Sequence, residues 1–140
     1  MRIFLLLFCM LFSNNTIGQS MIDSSTQINK SSPTLTICFG SCKFCQTKEE
    51  FLTNNTLSIL PANTGYTVDS FEYIISLPRG EGIGPFKVVG NKLTGEAWEH
   101  YKKAIESGSR LFFLFSDVYV SGENGTYRIL KGPSCRVNCE

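Results

Sequence analysis

Apolar and polar residues alternate over residues 66–77, which predicts a β-strand with one irregularity. The apolar side chains change phase along the segment, with Tyr66 and Val68 in one phase and Phe71, Tyr73, Ile75 and Leu77 in the other. One slip in a period of two predicts a β-bulge near Asp69 and Ser70, because one extra residue returns the apolar side chains to the same face.

Further strands are predicted on both sides of this segment. Pro78 and the glycines at positions 80, 82 and 84 are expected to end it, and a second strand is expected over Phe86–Val89. Upstream, the pattern favours a strand over Thr34–Phe39, a helical turn over Thr47–Leu52 and an extended piece over Leu57–Leu60.

The C-terminal part begins with an unbroken apolar run, Leu111–Phe115, which is typical of a strand covered on both faces. Val118–Val120 is expected to extend this strand. Ser121–Gly125 contains an Asn-Gly pair and predicts a hairpin turn into a last strand over Thr126–Leu130.

One helix is well marked, at about residues 95–107, with Thr94 as the expected N-cap and Gly108 placed to end it. Its apolar residues fall within one face at a period of 3.6, which indicates a helix that covers a sheet; they are Ala97, Trp98, Tyr101, Ala104 and Ile105. Together these elements predict an α+β, mostly β fold with antiparallel, sandwich-like sheets and one covering helix.

The N-terminal residues favour export. Arg2 precedes a short apolar stretch, Ile3–Phe12, and polar residues follow, which is the pattern of a cleavable signal peptide over residues 1–18. Cleavage is expected near Gly18 and Gln19. The stretch is shorter than the about 20 apolar residues that span a bilayer, so a mature protein without membrane insertion, periplasmic or secreted, is expected.

The remaining chain is expected to consist of a flexible polar leader over residues 19–33 and one domain over residues 34–140. The chain has 13 Lys and Arg and 12 Asp and Glu residues, so loss of Arg2 leaves it neutral. Neutrality without a basic cluster argues against a nucleic acid or an anionic membrane surface as partner.

An ordered series of segments resembles the C-terminal domain of the GldM/PorM family, periplasmic subunits of the gliding and type IX secretion machinery of Bacteroidetes. The segments that carry the resemblance are Gly65–Phe71, Gly90–Thr94, Gly108–Phe113, Asp117–Val120 and Gly122–Leu130. The resemblance covers about residues 33–131, with Thr47–Leu52 similar to the element before the family's first strong strand.

The resemblance implies a β-rich module that binds protein partners and has no catalytic residues or cofactor. The family's motor subunits have a transmembrane helix and long preceding β domains, which this sequence does not show, so no motor role is inferred. The expected function is that of a non-catalytic, exported protein-interaction module with a partner in the cell envelope.

The domain's cysteines, which are not part of the family's pattern, form two groups, Cys38, Cys42 and Cys45 near the start of the domain and Cys135 and Cys139 at its end. Disulfides are the usual state of cysteines in exported proteins, and an odd number leaves at least one unpaired or bonded to another molecule. At least one bridge between the groups is expected, with the pairing left open. It would close a loop of nearly the whole domain and stabilise it by about 4 to 5 kcal/mol.

A thiol-based redox or metal-handling protein is the alternative. Cys42-Lys-Phe-Cys45 has the spacing of a redox motif, but no βαβ pattern surrounds it and no helix clearly follows it. Four thiolates could hold zinc, although their spacings fit the common zinc knuckles poorly.

Other candidates favour structural roles. His100 is the only histidine and is expected at a surface or boundary position. Gly80–Gly84 precedes Pro85 and a strand rather than a helix N-terminus, which argues against a phosphate loop. Asp69 and Glu72 are interpreted as solvated strand residues.

Overall fold

The computed structural model describes residues 34–139. The predicted signal peptide and polar leader, residues 1–33, lie outside the described residues. Seven strands and two helices follow in the described part: β1 (Thr36–Phe39), β2 (Cys45–Gln46), α1 (Lys48–Thr53), β3 (Leu57–Leu60), β4 (Thr67–Ser76), β5 (Gly82–Val89), α2 (Glu96–Glu106), β6 (Leu111–Gly122) and β7 (Gly125–Val137).

These strands form two sheets. Five strands pair in the order β2-β7-β6-β4-β5, and β1 pairs with β3 in a two-stranded sheet. All the pairs are antiparallel except β2 with β7, which is parallel. The predicted α+β, mostly β fold class is confirmed.

The bulge predicted in β4 is confirmed. The register between β4 and β6 shifts between Val68 and Ser70, where the apolar pattern changes phase. Beyond the shift, Phe71, Tyr73 and Ile75 are completely buried. The slip in the sequence therefore keeps both halves of β4 facing the same core.

The prediction that the Leu111–Phe115 run is covered on both faces is wrong. Leu111, Phe113 and Phe115 are buried, but Phe112 is only half-buried and Leu114 is 41% exposed. The two-stranded sheet and both helices lie on the side of the buried residues, so among residues 34–139 no helix or strand covers the other face.

Two strands extend beyond their predicted limits. β5 begins at Gly82, within the segment expected to be a connection, and β7 continues through Pro133 to Val137. Proline is tolerated there because the β6–β7 register is irregular between Leu114 and Ser116 and β2 pairs only with the end of β7. The predicted hairpin turn is confirmed, with Gly122 opposite Gly125.

The helix predicted at about residues 95–107 is present as α2, but its N-cap is Gly95 rather than Thr94. Gly95 has a φ of 99° and gives no side-chain cap. Gly108 lies just beyond the C-cap with a φ of 89°, which agrees with its predicted role as terminator. None of the helices among the described residues is long and apolar enough to cross a membrane.

Aromatic contacts define the core between the layers. The Phe39 ring of β1 stacks on Phe115 of β6, with ring centroids 4.6 Å apart. Phe51 of α1 packs against Phe113 at 4.8 Å, and Trp98 of α2 packs against Phe51 at 6.0 Å. The two-stranded sheet and both helices therefore cover the same face of the five-stranded sheet, here called the inner face.

Candidate functional site

The structure pairs four of the five cysteines in the domain. Cys45 in β2 is bonded to Cys139, across 94 positions of sequence, with Cα atoms 6.1 Å apart. Cys38 in β1 is bonded to Cys42, four positions later, with Cα atoms 5.0 Å apart. Cys135 is a buried free thiol within β7, and not after the last strand as the sequence suggested.

The two cysteines of the Cys42-Lys-Phe-Cys45 motif are bonded to different partners and not to each other. One bridge leads to β1 and the other to the segment after β7. The backbone N–H of Arg136 also donates to the carbonyl of Phe44 at 2.6 Å. The segment between the two cysteines is therefore fixed at both ends and in the middle.

A buried glutamine organises the turn before this segment. The Gln46 amide donates to the carbonyls of Phe39 at 3.0 Å and Lys43 at 3.1 Å. Gly40 lies against it with a φ of +58°, and a Cβ there would come within 2.4 Å of the Gln46 Oε1 atom. Only glycine fits this position without displacing the glutamine.

The helix that follows starts with a capping box, in which Thr47 and Glu50 exchange side-chain to backbone hydrogen bonds. α1 begins at Lys48, soon after the motif, and confirms the helical turn predicted over Thr47–Leu52. Lys43 forms an ion pair with Glu50 at 2.6 Å, and the hydrogen bond from Lys43 is the main cause of the lowered pKa of the Glu50 carboxyl.

The outer face of the five-stranded sheet has an exposed apolar surface, here called the outer cluster and formed by Phe44, Ile74, Phe112 and Leu114. Leu114 lies opposite Ile74 on the neighbouring strand. The ring of Phe44, which is 54% exposed, lies edge-on to Phe112 with centroids 5.9 Å apart. Large apolar side chains that adjoin on a surface are typical of a binding site.

Arg136 joins the outer cluster. Its guanidinium carbon lies 5.6 Å from the centroid of Phe44 and 5.7 Å from that of Phe112. These are distances at which a cation is attracted to aromatic rings. No carboxylate of residues 34–139 forms an ion pair with Arg136, so the rings orient a guanidinium that retains its hydrogen-bonding capacity.

A cleft of about 400 Å³ opens beside Arg136, where β4 ends and β6 begins. Its walls include Leu77, Pro78, Phe112 and the bridged Cys139. Arg110 also lines it, and no Asp or Glu of the described residues does. The cleft therefore combines apolar walls with positively charged groups.

The free thiol of Cys135 is buried and unreactive. Cys135 is 1% exposed and lies opposite Phe113 in the core. Burial raises the pKa of its thiol to about 12, so it stays protonated at neutral pH. Among the described residues, no group of cysteine, histidine or carboxylate side chains is placed to hold a metal ion.

Three other candidates from the sequence make contacts of their own. His100 is exposed on α2, edge-on to the ring of Tyr101. Asp69 accepts a hydrogen bond from the Ser121 hydroxyl at 2.8 Å, and Glu72 lies opposite Lys87 on β5. These contacts give no paired acid and base.

The sequence did not predict the grouping of Phe44, Phe112 and Arg136. One signal was present in β7, where Arg136 stands between Cys135 and Val137 and marks one face of that strand as polar. No known family model matches this chain, and no curated protein shows a significant match to it.

Proposed function

We propose that the domain is a non-catalytic, exported protein-interaction module of the kind found at the C-terminus of GldM and PorM proteins. The observation that carries this proposal is the outer cluster. Ile74, Phe112 and Leu114 lie on the hydrogen-bonded neighbouring strands β4 and β6, and Phe44 is held beside them by two disulfides. A rigid apolar surface of this kind loses little conformational entropy when a partner covers it.

The shape and chemistry of the outer cluster support this proposal. Aromatic and arginine side chains are enriched where proteins contact one another. Phe44, Phe112 and Arg136 are of these types and contact one another. A partner in the cell envelope would bury them together.

Export is the second part of the proposal. The two disulfides are typical of an oxidising compartment. A periplasmic or secreted location would follow from cleavage near Gly18 and Gln19, which gives a mature chain that begins at or near Gln19. Mass analysis of protein recovered outside the cytoplasm tests this, and cytosolic protein beginning at Met1 would contradict it.

The interaction is tested by capture from the cell envelope of the source, with the disulfide-bonded domain as bait. Phe44→Gln and Leu114→Gln place an amide in the outer cluster. Val89→Gln is the matched control, because Val89 is 83% exposed at the end of β5 and lies outside the cluster.

Wild type and V89Q are expected to retain the same partner, and F44Q and L114Q to lose it. Loss of far-ultraviolet circular dichroism in a variant would instead indicate unfolding, so each bait is checked before use. If all four proteins capture the same set, or wild type captures nothing specific, the proposed function is wrong.

A further inference from the structure

We infer that the cleft beside Arg136 binds a carboxylate side chain of a partner protein, within a segment that also carries an apolar residue. This inference rests on the proposed function, since it assigns part of the partner's chemistry. The cleft and the outer cluster share Phe112 and Arg136, so one bound segment could contact both.

The charge of the ligand follows from the groups that face it. The guanidinium of Arg136 has no ion-pair partner among residues 34–139. A guanidinium presents parallel N–H donors that match the two oxygens of a carboxylate. No acidic residue among residues 34–139 lines the cleft, so the guanidinium of Arg136 faces an anionic group there without a described carboxylate beside it.

Arg136 is better oriented than other surface cations for binding a carboxylate. The rings of Phe44 and Phe112 restrict its guanidinium, and its backbone is hydrogen-bonded to the disulfide-fixed segment. A side chain that is already oriented loses less rotamer freedom when it binds. Lys131, in contrast, is an exposed cation on β7 outside the cleft.

The walls of the cleft determine the rest of the ligand. Leu77, Pro78 and Phe112 are apolar, and the side-chain amide of Asn138 is already used to donate to Ile105 and Ser109. A strongly hydrated inorganic anion would leave these walls uncovered. A peptide with an aliphatic or aromatic residue beside Glu or Asp would cover them, and about 400 Å³ is within the range of small ligand sites.

The test uses two blocked peptides, acetyl-Gly-Phe-Glu-Gly-amide and acetyl-Gly-Phe-Gln-Gly-amide, titrated into the ¹⁵N-labelled domain with its disulfides intact. The Glu peptide is expected to shift the Arg136 Nε–H signal and the amide signals of Phe112 and Val137. The Gln peptide is expected to bind at least about tenfold more weakly, because charge-assisted hydrogen bonds are lost.

Arg136→Gln is expected to weaken binding of the Glu peptide at least about tenfold, and Arg136→Lys by less, because lysine keeps the charge and loses the planar fork. Lys131→Gln, which removes the same charge outside the cleft, is expected to bind like wild type. Equal binding of the two peptides, equal loss in R136Q and K131Q, or no shifts at millimolar peptide would overturn the inference.

Capture from the cell envelope separates this inference from the proposed function. If R136Q keeps a partner that F44Q and L114Q lose, the interaction module stands and the carboxylate site is wrong. If wild type captures nothing while the peptide discrimination holds, the cleft binds carboxylates and the proposed function fails.

Discussion

Cys45 and Cys139 lie at opposite ends of the folded domain's sequence, and their disulfide joins β2 to the segment that follows β7. The same pair of strands is held by parallel backbone pairing of Cys45 with Arg136 and of Gln46 with Val137. The bridge therefore closes the chain at a place where the backbone already meets.

The two disulfides are expected to contribute unequally to stability. In the chain-entropy model, the Cys45–Cys139 bridge, which spans 94 positions, stabilises the fold by about 4 to 5 kcal/mol. The Cys38–Cys42 bridge spans four positions and gives about 2 kcal/mol. Urea unfolding of the Cys45→Ala/Cys139→Ala and Cys38→Ala/Cys42→Ala double variants measures the two contributions. A larger loss of unfolding free energy in the second variant than in the first would contradict the structure.

Trp98→Ala is expected to lower the free energy of unfolding by about 3 to 5 kcal/mol, because it empties a buried aromatic site. Trp98 is 3% exposed and contacts Phe51. Thermal and urea denaturation measure the loss. Phe44→Ala is the matched control at an exposed ring and is expected to cost less than about 1 kcal/mol, the upper range for an exposed cation–π contact. Equal losses would show that α2 does not cover the core.

Cys135 is expected to resist thiol reagents in the folded protein. Its burial and its raised pKa, about 12, both keep thiolate from forming at neutral pH. For a mature chain beginning near Gln19, Ellman's reagent should detect no thiol in native protein and one thiol per chain after unfolding without reductant. Rapid labelling of the native protein would show that β7 opens or that the pairing differs.

Alkaline pH is expected to destabilise the fold through Tyr73. Burial, with a smaller contribution from Tyr101, raises the pKa of Tyr73 to about 12 from an ordinary value of 10. The unfolded chain then loses the phenolic proton before the folded one does. The stabilising contribution is complete below about pH 10 and is lost as pH rises towards 12.

Tyr73→Phe tests this directly in a Cys135→Ala background, which removes thiol titration and disulfide exchange. The Tyr73 hydroxyl is buried with no hydrogen-bond partner among the described residues, so its removal should leave neutral stability unchanged or raise it by about 1 kcal/mol. The decline in unfolding free energy above pH 10 should become shallower than in the parent. If the decline in unfolding free energy is the same in both proteins, groups other than Tyr73 cause it.

Sequence reasoning succeeded where a local pattern carries the information. The bulge in β4 could be read from one phase change, because the core-facing side chains must alternate on both sides of it. The hairpin at Gly122–Gly125 is similarly local. The predicted N-cap of α2 was wrong by one residue. Thr94 has a residue type that is favoured at this position, but Gly95 occupies it.

The candidate surface needed tertiary information. An unbroken apolar run such as Leu111–Phe115 is the same whether its second face is covered or exposed, so periodicity cannot distinguish the two. Phe44 and Phe112 are far apart in sequence and meet only because β2 pairs with β7. Cysteine spacing likewise leaves the disulfide pairing open. The continuation of β7 to Val137, which places Cys135 in the core, was not predicted because Pro133 is unfavourable within a strand.

The edge strand β5 limits how copies of this domain can associate. Pro85 has no backbone N–H to offer a further strand, and at the opposite edge β2 has only two residues. Neither edge of the five-stranded sheet is therefore a good template for continuous pairing between molecules. Crowded copies should accordingly resist growth into cross-β fibrils, even though the outer cluster leaves apolar side chains in water.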